Sequence, residues 1–234
     1  MVSFKLLFFR AVFLMVNGFF DLYTGGRRRP VFFDAFGTRP ELPDLERHFA
    51  VIREELSGIM PRMDRIPRYH ELDSTQHDIS AEVQPDKAWR VFMLYAMGEK
   101  PVSERKQCPQ TAALLDQIPG LFQAFFSILE GGKNIPAHRG PYRGYLRYHL
   151  GLIVPKTAPP SIRIKDQHYT WQEGRGILFD DSWEHEVFNQ AQEMRVILVV
   201  DILRPMPIPF VTVNRLINWL LRQFYAKSMM AKLR

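Results

Sequence analysis

The chain has 234 residues, of which 46% are hydrophobic and 13% aromatic, so it can bury one sizeable core and is not disordered. Its single cysteine, Cys108, excludes an intrachain disulfide and agrees with a reducing compartment. The net charge of +6 is concentrated at the ends, since residues 1–29 hold five basic residues against one acidic residue and residues 222–234 hold four basic residues and no acid. This distribution argues against nucleic acid as a partner and favours a membrane surface or an acidic partner.

Residues 1–30 form an apolar, basic N-terminal segment. Within it, "FKLLFFRAVFLMVNGFFDLY" predicts a helix with Arg10, Asn17 and Asp21 on one narrow stripe and an otherwise apolar circumference. A central arginine costs ~2.5–3.5 kcal/mol in a membrane span, and no small-residue cleavage site marks a signal peptide. A helix in the membrane interface, a single marginal anchor and a helix packed on the body remain open, and we expect membrane contact.

Residues 31–75 are predicted to be a helical and irregular lead-in. It contains a helix at "LPDLERHFAVIREELSGIM", which Gly58 and Pro61 end. A shorter helix is predicted at "TAALLDQI", broken by Pro119 and Gly120. The stretch "AFFSILEGG" is predicted to be a strand that closes in a glycine turn.

Short strands dominate the sequence up to residue 205. They are predicted at "YLRYHLGLIVP", "SIRIK", "HYTWQEG", "GILFDD", "HEVFN" and "MRVILVVDIL". Turn residues separate them and no helical pattern intervenes, which indicates an antiparallel sandwich or barrel. The predicted fold class is therefore mainly β with flanking helices.

Residues 206–234 are predicted to form a basic amphipathic C-terminal helix. Its polar face holds Arg215, Asn218 and Arg222. Its apolar face holds Leu216, Ile217, Leu220 and Phe224. This pattern is typical of a helix docked on the body through its apolar face, although it could cooperate with the N-terminal segment at a membrane.

Two polar side chains share one face of a predicted strand. In "LRYHL", Arg147 and His149 point one way while Leu146, Tyr148 and Leu150 point the other. A buried guanidinium needs an anionic partner. An ordinary ion pair with a carboxylate and a bound anionic ligand both remain open at this point.

Two histidines, His138 and His185, are predicted to lie at strand starts, where they could share one metal ion. A familiar Fe(II) site consists of two histidines and a carboxylate. The motif at the first histidine is "HRG", with Gly140 at the place of the carboxylate in an "HxD" motif. Two unrelated histidines are the open alternative.

The segments "WRVFMLYAMG", "CPQTAALLDQIPG", "SILEGGKNIPAHRGPYRGYLRYHLGL", "FDDSWEHEVFN" and "RVILVVDILRP" occur in this order. Together they resemble the aspartyl/asparaginyl β-hydroxylase family of Fe(II)/2-oxoglutarate-dependent dioxygenases, which includes lipid A and ornithine-lipid hydroxylase-like relatives. The resemblance implies a double-stranded β-helix (jelly-roll, cupin-like) core in a catalytic domain over residues 76–205. That family also lacks the carboxylate ligand, so Gly140 agrees with it.

The resemblance implies Fe(II), 2-oxoglutarate and O2 as cofactors and cosubstrates. The metal ligands would be His138 and His185. The 2-oxoglutarate pocket would consist of Ser127, Arg147, His149 and Arg195. Within it Arg195 would anchor the distal carboxylate, and we also expect a catalytic role for Arg147.

The implied activity is hydroxylation of an unactivated C–H bond in a small-molecule, peptide or lipid substrate. The β-carbon of an Asp or Asn residue is our first expectation, and a lipid acyl chain at a membrane surface is the alternative. Arg139, Arg143 and Arg163 are candidates for binding a substrate carboxylate or phosphate, or are solvated charges. A non-catalytic module that attaches through its basic ends is a further alternative. We expect a cytoplasmic location, with contact at the inner face of a membrane.

Overall fold

The computed structural model describes the backbone of residues 4–233 and the side chains of residues 12–233. Its helices are α1 (Phe4–Thr24), α2 (Ala35–Thr38), α3 (Leu42–Arg47), α4 (Phe49–Ile59), α5 (Tyr69–Leu72), α6 (His77–Ser80), α7 (Val102–Gln107), α8 (Pro109–Asp116), α9 (Phe210–Leu221) and α10 (Lys227–Met230). Its strands are β1 (Phe32–Phe33), β2 (Trp89–Ala96), β3 (Leu121–Leu129), β4 (Ile135–His138), β5 (Tyr145–Ile153), β6 (Ser161–Ile164), β7 (Gln167–Thr170), β8 (Gly176–Phe179), β9 (His185–Phe188) and β10 (Arg195–Leu203). A π-helical turn (Arg222–Ala226) joins α9 to α10.

The strands form two antiparallel sheets. The larger has the order β1-β8-β5-β10-β3-β2, and the smaller has the order β4-β9-β6-β7. Apolar side chains from both sheets, such as Val199 of β10 and Ile162 of β6, belong to one buried cluster, so the sheets pack face to face. The predicted class, a mainly β jelly roll with flanking helices, is confirmed.

The outer face of the larger sheet is covered by α3, α4 and α8. Leu146, Tyr148 and Leu150 of β5 lie in this second cluster with residues such as Leu45 and Leu56. The central strands are therefore buried on both faces. Because side chains alternate along a strand, the residues between these leucines point to the space between the sheets. The predicted division of β5 into two faces is confirmed.

Sequence and structure differ most in the helices. The helix predicted over residues 42–60 is divided at His48 into α3 and α4, and it continues through Gly58 to Ile59. All six strands predicted between residues 145 and 203 are present as β5–β10. Strand β2 was not predicted, because "WRVFMLYA" is buried on both faces and does not alternate.

Helix α1 packs on the body through its polar stripe. Asn17 Nδ2 donates to the Pro141 carbonyl at 2.9 Å, its Oδ1 accepts from the Arg143 amide at 2.9 Å, and Asp21 pairs with the Arg143 guanidinium. The side chain of Arg10, predicted for the same stripe, lies outside the described residues. Over the described range, the helices lack the combination of length and apolarity that crossing a bilayer requires.

The C-terminal helix is rotated relative to the prediction, although Arg215 and Arg222 of the predicted polar face are exposed. Its buried side is centred on Asn214, which accepts a hydrogen bond from the Tyr142 hydroxyl and donates to the Gly144 carbonyl at 2.7 Å. Of the predicted apolar face, Ile217 packs on the core together with Val213 and Leu221, whereas Leu216, Leu220 and Phe224 are exposed. The helix is therefore docked on the body, but through a side that only partly coincides with the predicted one.

Candidate active site between the two sheets

His138 and His185 are neighbours on paired strands. His138 ends β4 rather than beginning it, and His185 begins β9, as predicted. The two residues are opposite each other in the β4–β9 register, and their ring centroids lie 4.1 Å apart. The structure therefore brings together the two histidines that sequence spacing alone could not connect.

Both rings are oriented in the same way by the backbone. His138 Nδ1 lies 2.8 Å from the Pro136 carbonyl, and His185 Nδ1 lies 2.9 Å from the Trp183 carbonyl. A carbonyl oxygen only accepts, so each Nδ1 carries the hydrogen and each Nε2 keeps a free lone pair. Such backbone contacts are typical of histidines that ligate a metal through Nε2.

The electrostatics keep these imidazoles neutral. Burial, together with the nearby His185, lowers the pKa of His138 to about 3. Burial also lowers the pKa of His185, although the carboxylate of Asp181 opposes this effect. Neutral imidazole is the form that binds a metal ion, so the donor set fits a divalent transition metal such as Fe(II).

A carboxylate of the acidic turn around His185 accompanies the histidines. The sequence predicts that the acids of this turn are turn formers or partners of the histidines, namely Asp180, Asp181, Glu184 and Glu186. Asp181 Oδ1 lies 3.3 Å from His185 Nε2. Two acceptors at this distance do not form a hydrogen bond, so a cation beside them would satisfy both. Asp181 also occupies the space next to Gly140, where an added Cβ would overlap Asp181 Oδ2 and the Tyr145 hydroxyl. The "HRG" motif has no carboxylate at Gly140, but the carboxylate of Asp181, four residues before His185, lies next to that position.

Arg147 is saturated by two buried carboxylates. Its Nε and Nη2 donate to the two oxygens of Asp201 at 2.7 and 2.8 Å, and its Nη1 lies 2.8 Å from Asp181 Oδ1. Burial alone would lower the pKa of Arg147, but the two carboxylates outweigh it and raise that pKa well above its usual value. Of the two alternatives that the sequence left open for Arg147, the structure therefore shows the ion pair with protein carboxylates.

Arg195 has the opposite surroundings. It is 1% exposed, and among the described residues no carboxylate pairs with it. Its Nη2 donates to Ser127 Oγ at 3.2 Å, and its guanidinium lies 4.7 Å from the centre of the Trp171 ring. Burial lowers its pKa to about 9. An unpaired guanidinium is costly to bury, so this position is suited to binding an anion.

Ser127 connects this arginine to the wall of the site. Its Oγ accepts hydrogen bonds from Trp89 Nε1 at 2.9 Å and from Arg195. A hydroxyl has two lone pairs and one hydrogen, so the hydrogen of Ser127 remains to be donated. A carboxylate bound to Arg195 would be a suitable acceptor.

Further unsatisfied donors lie on the same inner face. The two ring nitrogens of His149 and the Nε1 of Trp171 are buried without a hydrogen-bond partner in the described part of the chain. The His149 ring is 4.8 Å from Phe179, which in turn lies 6.2 Å from His185. Phe179 thus connects the histidine pair to the pocket of Arg195. Buried polar groups are normally paired, so this cluster indicates a polar ligand.

The arginines proposed for substrate binding are already paired. Arg139 lies 3.3 Å from Glu184, and Arg143 is held by α1. Arg163 pairs with Glu184 and Glu186 of the β9 region. These cations contact protein carboxylates, whereas Arg195 contacts none among the described residues.

Other grooves and clusters of the described surface do not coincide with this interior. Clefts of about 230 Å³ and 290 Å³ are lined by residues around β2 and contain none of the predicted site residues. An exposed trio, His77, Asp78 and Glu82, brings ligating atoms within 4.8 Å of one another. It lacks the burial and the ring-orienting backbone contacts of the histidine pair.

Sequence reasoning missed Asp201 and Trp171 and did not single out Asp181. A lone acid in the apolar run "VILVVDIL" was the available signal for Asp201, since it is unusual in a buried strand. The roles predicted for Ser127, Arg147, His149 and Arg195 stay predictions, as do the metal-ligand roles of the histidines.

Fold and site together define a class: an antiparallel jelly roll in which a histidine pair lies near a buried arginine that no carboxylate among the described residues pairs with. The family described as Aspartyl/Asparaginyl beta-hydroxylase matches residues 46–205. The chain belongs to this family, and the resemblance noted from the sequence is confirmed.

Individual relatives carry hydroxylase names. The chain is 40% identical over 185 residues to "Ornithine lipid ester-linked acyl 2-hydroxylase" of Rhizobium tropici, covering 79% of this chain and 63% of that protein. It is 32% identical over 166 residues to "Aspartyl/asparaginyl beta-hydroxylase" of Homo sapiens, covering 69% of this chain and 21% of that protein. A solved prolyl-4-hydroxylase of Pseudomonas putida gives a TM-score of 0.45 at 15% identity, covering 70% of this chain and 100% of that one. The chain thus spans less than two thirds of the length of the Rhizobium and human relatives.

Proposed function

We propose that this protein is an Fe(II)- and 2-oxoglutarate-dependent dioxygenase that hydroxylates an unactivated C–H bond. The observation that carries the proposal is a pair of neutral histidines with free Nε2 atoms, His185 buried and His138 half-buried, near a buried arginine without a carboxylate partner in the described structure. When bound, Fe(II) with 2-oxoglutarate and O2 supplies the oxidising power for this reaction. The relatives' hydroxylase names agree with it.

His138 and His185 would hold the ion, since their rings are fixed by the Pro136 and Trp183 carbonyls. Asp181 faces His185 and would balance part of the positive charge. The Arg147 guanidinium lowers the pKa of Asp181 against the effect of burial, so this carboxylate stays ionised. We assign Arg147 a positioning role, because its donors are engaged by Asp181 and Asp201.

Arg195 would bind the distal carboxylate of 2-oxoglutarate. A guanidinium offers two parallel donors to a carboxylate, and burial strengthens the contact by excluding water. Ser127 would add its hydroxyl hydrogen, and Trp171 and His149 would supply donors on the same wall. The result is a dry pocket that binds a diacid in one orientation.

The proposed substrate is the acyl chain of a lipid. A substrate carboxylate would require a cation that is not already paired, and the candidate arginines at residues 139, 143 and 163 each contact a protein carboxylate. The rhizobial relative, at 40% identity, is named for acyl 2-hydroxylation of an ornithine lipid. The β-carbon of an Asp or Asn residue is the second candidate, supported by the family match and the name of the human relative.

Fe(II)-dependent conversion of 2-oxoglutarate to succinate and CO2 tests the chemistry. His138→Ala should weaken Mn(II) binding, followed by EPR, by more than the roughly 10–100-fold typical of losing an outer contact. His168→Ala, at an exposed histidine of β7, is the matched control and should bind Mn(II) like the parent protein. Equal Mn(II) binding by all three proteins, with no 2-oxoglutarate turnover, would leave a non-catalytic module as the better description.

Mass spectrometry then separates the two substrates. The protein is incubated with an ornithine lipid and, in parallel, with an Asp-containing peptide, and each product is examined for the gain of one oxygen atom. We expect that gain on the acyl chain. Oxygen found on the peptide alone would overturn the lipid assignment while leaving the dioxygenase proposal intact.

A further inference from the structure

Two neighbouring helices expose apolar side chains that no part of the described structure covers. We call this surface the terminal face; its members are Leu14, Met15 and Leu22 of α1 and Leu216, Trp219 and Phe224 of the C-terminal helix. Leu22 is 79% exposed and Phe224 is 74% exposed. Large apolar side chains exposed together on neighbouring helices are typical of an interaction surface.

The terminal face is fixed on the body. Phe210 at the start of α9 lies 4.7 Å from Phe19 and 5.5 Å from Tyr23, which joins the two helices side by side. Their opposite sides are already packed, since Phe20 is fully buried against Tyr142 and Asn214 is held beneath α9. The exposed residues therefore have no core position to occupy by rotation of either helix.

Basic side chains predominate near the terminal face, and Glu99, which lies beside the C-terminal helix, is paired with Arg222. Arg27, Arg28, Arg215 and Lys227 are exposed near the ends of the two helices. The sequence has no acidic residue between positions 210 and 234. Asp21 of α1 is neutralised by Arg143. An apolar face with a basic rim matches a bilayer that carries anionic headgroups. A second copy of this chain would bring basic rims together.

We infer that the terminal face binds the surface of an anionic phospholipid bilayer. The inference goes beyond the proposed reaction, because this surface contains no site residue and needs neither iron nor 2-oxoglutarate. Its position is relevant to that reaction, since α1 holds Pro141 and Arg143 in the loop that follows His138. Docking would therefore hold α1 against the headgroups, with the loop packed on the other side of the same helix.

Vesicle flotation tests the inference directly. The full chain is mixed with vesicles of phosphatidylcholine alone or of equal parts phosphatidylcholine and phosphatidylglycerol. We expect binding to the anionic vesicles and a blue shift of tryptophan emission from Trp219, which is 55% exposed. Trp89 and Trp171 are buried, and Trp183 is half-buried under Arg29 and Lys165. Trp219→Phe should abolish the shift but keep the binding.

A charge-matched pair of double variants isolates the terminal face. Trp219→Glu with Phe224→Glu should lower the partition coefficient by about tenfold or more, through lost apolar contact and added negative charge. Phe36→Glu with Val102→Glu makes the same charge change at exposed apolar residues elsewhere and should bind like the parent. An equal loss of vesicle binding in both variants would show that net charge alone explains the effect. That result would overturn the inference.

Two other outcomes would also overturn it. One is absence of binding to anionic vesicles by a protein with intact thermal unfolding. The other is a dimer in analytical ultracentrifugation that Trp219→Glu with Phe224→Glu converts to a monomer, since a second copy would then cover the face. Neither result would affect turnover of 2-oxoglutarate in solution, so failure here is distinguishable from failure of the proposed function.

Discussion

The interior between the sheets has two regions, each built around a buried arginine. Around Arg147 every charge is balanced, since Asp181 and Asp201 occupy its donors. Around Arg195 the nearest polar partner is a serine hydroxyl, and neighbouring donors on His149 and Trp171 are unsatisfied in the described structure. The charges of the first region are balanced within the protein, whereas the second holds a cation and polar nitrogens without partners in the described structure.

The difference teaches how to separate structure from function at buried charges. Both side chains lie on inward-facing positions of central strands, with 17% of the Arg147 side chain and 1% of Arg195 exposed. What separates them is the carboxylate partner, which Arg147 has and Arg195 lacks among the described residues. A buried ion pair that loses one member leaves an uncompensated charge, whereas a buried charge without a partner already carries that cost in the ligand-free protein.

The largest effect is expected for Arg147→Met. The substitution leaves Asp181 and Asp201 buried without their cation, which should lower the free energy of unfolding by about 3–5 kcal/mol. Urea denaturation measures the loss. Arg139→Met, at an exposed ion pair with Glu184, is the control and should cost less than about 1 kcal/mol. Similar stability of both variants would contradict the division between the two regions.

Arg195→Met should weaken ligand binding without lowering stability, in contrast to Arg147→Met. The ligand-free protein should unfold at the same or a higher urea concentration, because the substitution removes an uncompensated buried charge. The Kd for 2-oxoglutarate, measured by calorimetry with Mn(II), should rise roughly 10–100-fold with the loss of charge-assisted hydrogen bonds of about 1.5–3 kcal/mol.

Arg195→Lys sharpens that test. It keeps the charge but loses the planar fork, so its affinity for 2-oxoglutarate should lie between those of the parent and Arg195→Met. A loss of stability in Arg195→Met as large as that in Arg147→Met would mean that Arg195 is a structural residue.

Much of this contrast was readable from the sequence, and part of it was not. The period-two alternation of β5 is local, so it placed Arg147 and His149 on one face. The partner Asp201 lies 54 positions away and meets Arg147 only through the β5–β10 register. One sequence contains no signal for that register, which is why the ion pair remained one of two alternatives.

The C-terminal helix illustrates a second limit. Its periodicity correctly predicts a helix with polar and apolar sides, but it does not say which side faces the body. That choice depends on Tyr142, 72 positions from Asn214, whose hydroxyl hydrogen bond turns Asn214 inward. Strand β2 was missed for a related reason, since a strand buried on both faces has no alternation to detect.

A smaller effect is expected at Ser127, which joins the ligand pocket to the wall. Ser127→Ala removes the acceptor of Trp89 Nε1 and of Arg195, which should cost about 1–3 kcal/mol of stability for the unsatisfied donors. Chemical denaturation measures it, with Ser103→Ala on the exposed side of α7 as the control. Unchanged stability would show that the two donors find other acceptors.

The smallest change in stability is expected for His149→Leu, and its sign is the informative part. Leucine has a similar volume and removes two buried nitrogens that lack partners in the described structure, so stability should stay within about 1 kcal/mol or rise. The Kd for 2-oxoglutarate should still increase about tenfold, if a nitrogen of His149 donates to the ligand. A clear loss of stability together with unchanged affinity for 2-oxoglutarate would show that His149 has a structural role, like Arg147. The proposed ligand pocket would then consist of Arg195, Ser127 and Trp171.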